Sequence, residues 1–318
     1  MGDNSRQDEK RIGGNGVIIK KMLTLHPCTV NLERCGMFET FKRSWQLVKA
    51  SWAVLRADKE LILFPLMSGV AMIITTLTFF IPVSIFVSVI SGGREESGSV
   101  LGVVWMFLYY LVSYGIVTYF NVALVGAAMI RLDGGDPTVR DGLRIAGERR
   151  GKILQYAAIS ATVGTVLQLL RERGGIIGSI IGSLGGLAWN LASFFVVPIL
   201  VVRDISPWEA VKESTSLLKR TWGEQVVTGT GIGFVFTIIF MGVFFLGVLL
   251  IMAMASLSTS LTVVGVIVFI LALVAVGIVQ GAISGILQAV MFRYVEYGVA
   301  PDDFDIETIR GVFKPKNK

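Results

Sequence analysis

Metal binding and thiol chemistry would fall to His26, Cys28 and Cys35, the chain's one histidine and two cysteines. A C-x6-C pair beside a single histidine is a weak ligand set. All three lie within the first 36 residues, so the remainder has no thiol for a disulfide or a nucleophile. The carboxylates Asp133, Asp136, Asp141 and Glu148 cluster in sequence, yet they read as helix caps and surface charges rather than an acid–base pair. No Walker A segment, nucleophile elbow or HExxH is present. Neither a catalytic residue, a cofactor nor a metal is expected, and the chain reads as a non-enzyme.

The remaining polar groups of interest sit in apolar surroundings. Tyr110, Tyr114, Thr118 and Asn121 recur at spacings of four, four and three, which makes a polar face on one helix. Asn190, Gln280, Ser284 and Gln288 are similarly placed elsewhere. Such groups must find partners, because lipid offers none. One reading is a polar cavity for a small solute or lipid headgroup. The other is hydrogen bonding between helices, worth roughly 0.6–2 kcal/mol per bond.

Six stretches without Asp, Glu, Lys or Arg must position these groups: Leu61–Ile90, Leu101–Ile130, Ile153–Leu170, Ile176–Val202, Gln225–Ala255 and Leu261–Phe292. A bilayer core takes about 20 apolar residues per helix, so each stretch reads as a span and the fold as an all-α, six-span bundle. Hydrophobic residues make up 53% of the chain and charged residues 16%, against roughly 25% charged in soluble proteins. Of the 29 Lys and Arg, only Arg94, Arg171 and Arg173 fall in the loops after spans one, three and five. Lysine and arginine are retained on the cytoplasmic side. The expected arrangement is therefore a plasma-membrane protein with both termini cytoplasmic. The net charge of +6 belongs beside anionic headgroups, and no nucleic acid partner is expected. Ion-coupled transporters commonly place an ionisable residue inside the membrane; none lies within these six stretches.

Residues 1–36 read as a disordered or spurious extension, 37–298 as the membrane domain and 299–318 as a cytoplasmic tail. The membrane domain looks like three repeats of an amphipathic helix followed by a hairpin of spans. The first lead-in helix places Phe41, Trp45, Val48, Trp52 and Leu55 on one face. The second is expected to open on Asp136 as N-cap with Pro137 in the first turn. The third opens Ser206-Pro-Trp-Glu209, a capping box, and continues Trp208, Val211, Thr215, Leu218 and Trp222. These helices are expected to lie in the inner interface as lipid-binding elbows, or else to dock a cytoplasmic protein. Pro65, Pro82 and Pro198 are candidate kinks. Arg293 and Glu296, three apart at the end of the last span, could pair.

Glycine recurs every fourth residue at Gly174, Gly178, Gly182 and Gly186, and again at Gly277, Gly281 and Gly285. Small residues at this spacing let helices approach closely in lipid. The two stripes suggest that spans four and six pack together, or that one faces a second copy of the chain.

Four segments carry a resemblance: Phe41-Lys-Arg-Ser-Trp-Gln-Leu-Val-Lys-Ala-Ser-Trp52, Asp58-Lys-Glu-Leu-Ile-Leu-Phe-Pro65, Leu132-Asp-Gly-Gly-Asp-Pro137 and Tyr297-Gly-Val-Ala-Pro-Asp-Asp-Phe304. Over about residues 37–314 the chain resembles a family of prokaryotic multi-pass membrane proteins classed as a domain of unknown function. That resemblance implies the six-span architecture and no activity. The elbow-and-hairpin pattern is more weakly similar to the membrane domain of some glycerophosphodiester phosphodiesterases, whose catalytic barrel this chain lacks. The expected role is a non-enzymatic membrane scaffold or subunit; the alternative is a carrier or lipid-handling protein using the Tyr110 face.

Overall fold

A computed structural model describes residues 32–90, 100–222, 231–256 and 258–298. His26, Cys28 and the 299–318 tail lie outside the described residues, as does the side chain of Cys35. The chain divides into two compact units, residues 1–42 and 43–318; the account below concerns the second.

Every regular element among the described residues is helical. In order they are α1 (Leu32–Ala57), a 3-10 turn (Lys59–Ile62), α2 (Leu63–Ile90), α3 (Val100–Leu132), α4 (Val139–Glu148), α5 (Arg150–Arg173), α6 (Gly175–Ala192), α7 (Val196–Val202), α8 (Pro207–Trp222), α9 (Gly231–Ala255) and α10 (Thr259–Tyr297). Six segments among the described residues are long and apolar enough to cross a membrane: Lys59–Pro82, Gly102–Leu132, Arg150–Arg173, Gly175–Val202, Thr237–Ala255 and Thr259–Tyr297. The protein is thus an all-α, multi-pass membrane protein. Helix α1 starts at Leu32, ahead of the Met37 boundary expected from the sequence.

Helix α3 is the hub, packing against α2, α4, α5, α7 and α10, while α9 packs mainly against α10. The buried side chains concentrate at one end of the spans. They fall at Leu61 in the 3-10 turn and Phe64 at the start of α2, over Val122–Ala128 near the end of α3, on one side of α5 between Ile153 and Ala161, in most of α7, and on much of α10 between Ala282 and Phe292. Two shorter helices, α4 and α8, close this end, which we call the elbow face. At the opposite end, the hairpin face, the apolar side chains of α2, α6, α9 and early α10 are exposed, as lipid-facing helices require.

The fourth span is not one helix. Pro198 has no N–H to give the Phe194 carbonyl, and its ring crowds that same group. The chain turns at Ser193–Phe195 and restarts as α7. Both backbone groups freed at the break find side-chain partners. Phe195 donates its N–H to Ser214 Oγ of α8 at 3.0 Å, and Gln288 Nε2 of α10 donates to the Phe194 carbonyl. Pro82 lies inside the continuous α2, and Pro65 falls in that helix's first turn, where proline costs little.

The elbow helices differ from expectation in two ways. Helix α4 is capped by Thr138, not Asp136: Thr138 Oγ1 accepts the Asp141 N–H, and Asp141 Oδ2 accepts the Thr138 N–H at 3.1 Å. Proline 137 therefore precedes the cap. The reciprocal box at Ser206 and Glu209 forms as expected. The second difference is that each stripe divides between the core and its margin. Helix α1 buries Leu47, Val48, Ser51, Val54 and Leu55, and α8 buries Ala210, Val211, Ser214, Leu217 and Leu218. Trp45, Trp52 and Trp208 stand exposed at the margin of those faces. The side chains of Phe41 and Trp222 lie outside the described residues.

Candidate functional site

The α3 polar face lies against neighbouring helices. The rings of Tyr110 and Tyr114 cover Gly164 of α5, where a Cβ would come within 3.4 Å of Tyr114 and 3.7 Å of Tyr110. Thr118 is buried. Asn121 faces Gly285 of α10, with its Oδ1 3.6 Å from where a Cβ would stand. Glycine on the facing helix is what admits each bulky or polar group of α3. The hydrogen bonds between helices fall on neighbours the sequence did not single out. Tyr109 bonds with Thr76 of α2 at 3.4 Å, and Tyr119 donates to the Leu143 carbonyl of α4 at 3.3 Å. Among the described residues, Gln288 is the polar position read from the spans that bonds to another element. Asn190 and Ser284 are exposed. Gln280 lines a mainly apolar pocket with Thr237, Phe240, Met241, Phe244 and Phe245.

The two glycine stripes do not meet. Gly178 sits against the Leu170 carbonyl of α5, and Gly182 and Gly186 lie under the side chain of Arg171, also of α5. The first stripe therefore closes its own hairpin, whose turn uses a positive φ of 57° at Gly175. In the second stripe Gly281 meets Pro65 of α2, Gly285 meets Leu124 of α3, and Gly277 has no neighbour within 4 Å.

Charge gathers at the elbow face. Arg203, in the α7–α8 connection, pairs with Glu213 of α8 and Glu296 of α10. Arg293 instead pairs with Asp133 at 2.5 Å, so Arg293 and Glu296 do not pair with each other. Arg149 and Lys152 both reach Asp204, and Lys152 is the main cause that holds the Asp204 carboxyl below its ordinary range. Glu60 Oε2 accepts the Val139 N–H at 2.7 Å, tying the start of α4 to the 3-10 turn. These contacts lace five elements into one rim.

Asp58 is the buried acid of this rim. Its Oδ1 accepts the Glu60 N–H at 3.2 Å, whereas its Oδ2 has no hydrogen-bond partner among the described residues and Asp58 is 5% exposed. Burial raises its pKa above the ordinary 3.8, only partly opposed by the Glu60 N–H and by Arg131. A carboxyl raised on folding favours the folded state while protonated, and that contribution is lost as pH climbs through its folded pKa. Asp58→Asn keeps an acceptor for the Glu60 N–H and removes the charge. Its thermal midpoint in detergent is expected to exceed wild type at pH 7 and to converge with it in acid. A midpoint below wild type at pH 7 would show that the ionised form is the stabilising one.

The exposed tryptophans carry cations one helical turn on. Lys49 lies 5.9 Å from the Trp45 ring centroid, Arg56 5.4 Å from Trp52, and Lys212 5.9 Å from Trp208. No group of three or more metal-ligating side chains occurs among the described residues.

Six apolar membrane-length segments among the described residues, a core at one end and a laced polar rim define a multi-pass membrane protein. Residues 100–301 match a Family of unknown function (DUF6159), and the chain belongs to that family. The match starts at α3, so the segments Phe41–Trp52 and Asp58–Pro65 lie outside it. No curated protein matches the chain, and the similarity to glycerophosphodiester phosphodiesterases gains no support.

Proposed function

We propose that the protein is a non-enzymatic scaffold or subunit of the plasma membrane, with its elbow face cytoplasmic and its elbow helices seated in the inner lipid interface. The observation that carries this reading is the build of α1 and α8. Each buries one face in the core and exposes tryptophan with a stacked cation at the margin. Indole rings favour the headgroup level and basic side chains meet lipid phosphates. The orientation is supported by the charge alternation between loops, and the scaffold role by a packed rather than hollow Tyr110 face. The ion-paired rim offers a rigid surface for a cytoplasmic partner. The carrier alternative would need a polar passage, and the pocket at Gln280 is mainly apolar.

The test starts from a chain lacking Cys28 and Cys35. Single cysteines placed at Glu148, Ser216 or Ser258 are probed in intact cells with a membrane-impermeant thiol reagent. Labelling at 258 alone is expected, and labelling at 148 or 216 would overturn the orientation. The scaffold role itself fails if the purified chain, in sealed vesicles, moves a solute across the bilayer.

A further inference from the structure

Arg171 is an arginine facing the wrong way for its place in the sequence. It lies in the last turn of α5, beside the hairpin turn at Gly174–Gly175. A basic residue at a span's end normally reaches outward to water and headgroups. Here the side chain runs back along α6. Its Nη2 donates to the Gly182 carbonyl at 3.2 Å, and a Cβ on Gly186 would come within 3.1 Å of that same nitrogen. Gly182 and Gly186 are seven and eleven residues into α6. At 1.5 Å per residue the guanidinium sits about 10–16 Å along the helix from the turn. The second half of the glycine stripe is thus a seat for an arginine.

That cation is incompletely served. A guanidinium has five donors, and among the described residues Arg171 has no ion-pair partner. The next residue, Glu172, carries the opposite charge, with one carboxylate oxygen accepting from Gln168 Nε2 at 2.8 Å. At the start of α6, in the same hairpin, Ile176 and Ile177 are 83% and 72% exposed, an apolar surface of the kind acyl chains cover. A fixed cation needs an anion more in lipid than in water. Guanidinium matches the oxygens of a phosphate through paired N–H bonds. A headgroup joining a phosphodiester to an ammonium by two carbons carries the complementary charges.

We propose that Arg171 and Glu172 form a binding site for a zwitterionic aminophospholipid at the hairpin face, with the phosphate on Arg171, the ammonium on Glu172 and the acyl chains along α6. The site does not depend on the scaffold reading, and it assigns the Gly182 and Gly186 positions a role in lipid recognition.

The full-length chain, purified in mild detergent, is offered equal phosphatidylethanolamine and phosphatidylglycerol, and retained lipid is counted by native mass spectrometry. Wild type is expected to retain phosphatidylethanolamine in preference. A charge-assisted bond is worth about 1.5–3 kcal/mol, so R171Q should lower retained phospholipid about tenfold or more. G186V, which fills the seat and keeps the charge, should do the same. E172Q should spare total lipid and abolish the preference. Unchanged retention in R171Q and G186V overturns the proposal. Displacement of the lipid by millimolar inorganic phosphate would reassign the site to a free anion. Should R171Q or G186V lose helicity or aggregate, E172Q, at an exposed position, decides: a preference that survives it refutes the site.

Discussion

Valine in place of Gly142 is expected to be among the most damaging single substitutions in this protein. Helix α4 crosses α3 at this residue. A Cβ there would stand 2.5 Å from Phe64 Cζ and 2.7 Å from the Ala123 carbonyl oxygen. Phe64 is fully buried and has no free volume to enter, and the carbonyl belongs to the backbone of the hub helix. Relief therefore requires α4 to lift from α3. That would also strain the Val139–Glu60 bond and the contact of Ile145 with Gly126. Overpacking commonly costs about 1–3 kcal/mol, and a clash with backbone belongs at the top of that range. Thermal denaturation in detergent, followed by gel filtration, should show the loss for Gly142→Val and a smaller one for Gly142→Ala. Gly277→Ala, on an open face of α10, should leave the midpoint unchanged. Equal behaviour of Gly142→Val and Gly277→Ala would mean that α4 does not lie on α3 as described.

Gln288→Leu is expected to rank beside it. The leucine fills similar volume but leaves the Phe194 carbonyl without the donor that replaced the missing Pro198 N–H. Removing the donor from this part-buried carbonyl costs about 1–3 kcal/mol, and lipid offers no replacement donor. Ser214→Val removes the matching acceptor for the Phe195 N–H. A double-mutant cycle separates this account from generic damage. Pro198→Ala restores an N–H at the right place, so Gln288→Leu should cost less in that background. Strict additivity would show that Gln288 does not serve the break.

The spans were legible because one physical signal decides them: stretches too apolar and too free of charge to sit anywhere but in lipid. Their neighbours were not. A glycine stripe states that something approaches closely without stating what, and here the partners proved to be an arginine side chain, a proline ring and Leu124. The spacing of Tyr110, Tyr114, Thr118 and Asn121 sets them on one face of α3, but residue type could not tell a lined cavity from rings laid over Gly164. At Trp45, Trp52 and Trp208 the period of three and four identified the helices without saying which members of each stripe enter the core. Tryptophan is both the most apolar-looking residue of the stripe and the one best suited to its wet margin. The break at Ser193–Phe195 was foreshadowed by Pro198, but not the two side chains that satisfy it. Those lie 19 and 94 residues away in sequence, and only the fold brings them together.

The uneven depth of the core has a mechanical consequence. Leu61, Ala128, Ile199 and Phe292 lock the helices near one leaflet, while beyond them α6 packs on α5 and α9 on the first half of α10, as separate hairpins. Thicker or thinner membranes can be met by tilting these segments like ribs about a common boss, with no buried contact broken. Adaptation to hydrophobic mismatch is then confined to the leaflet farther from the rim.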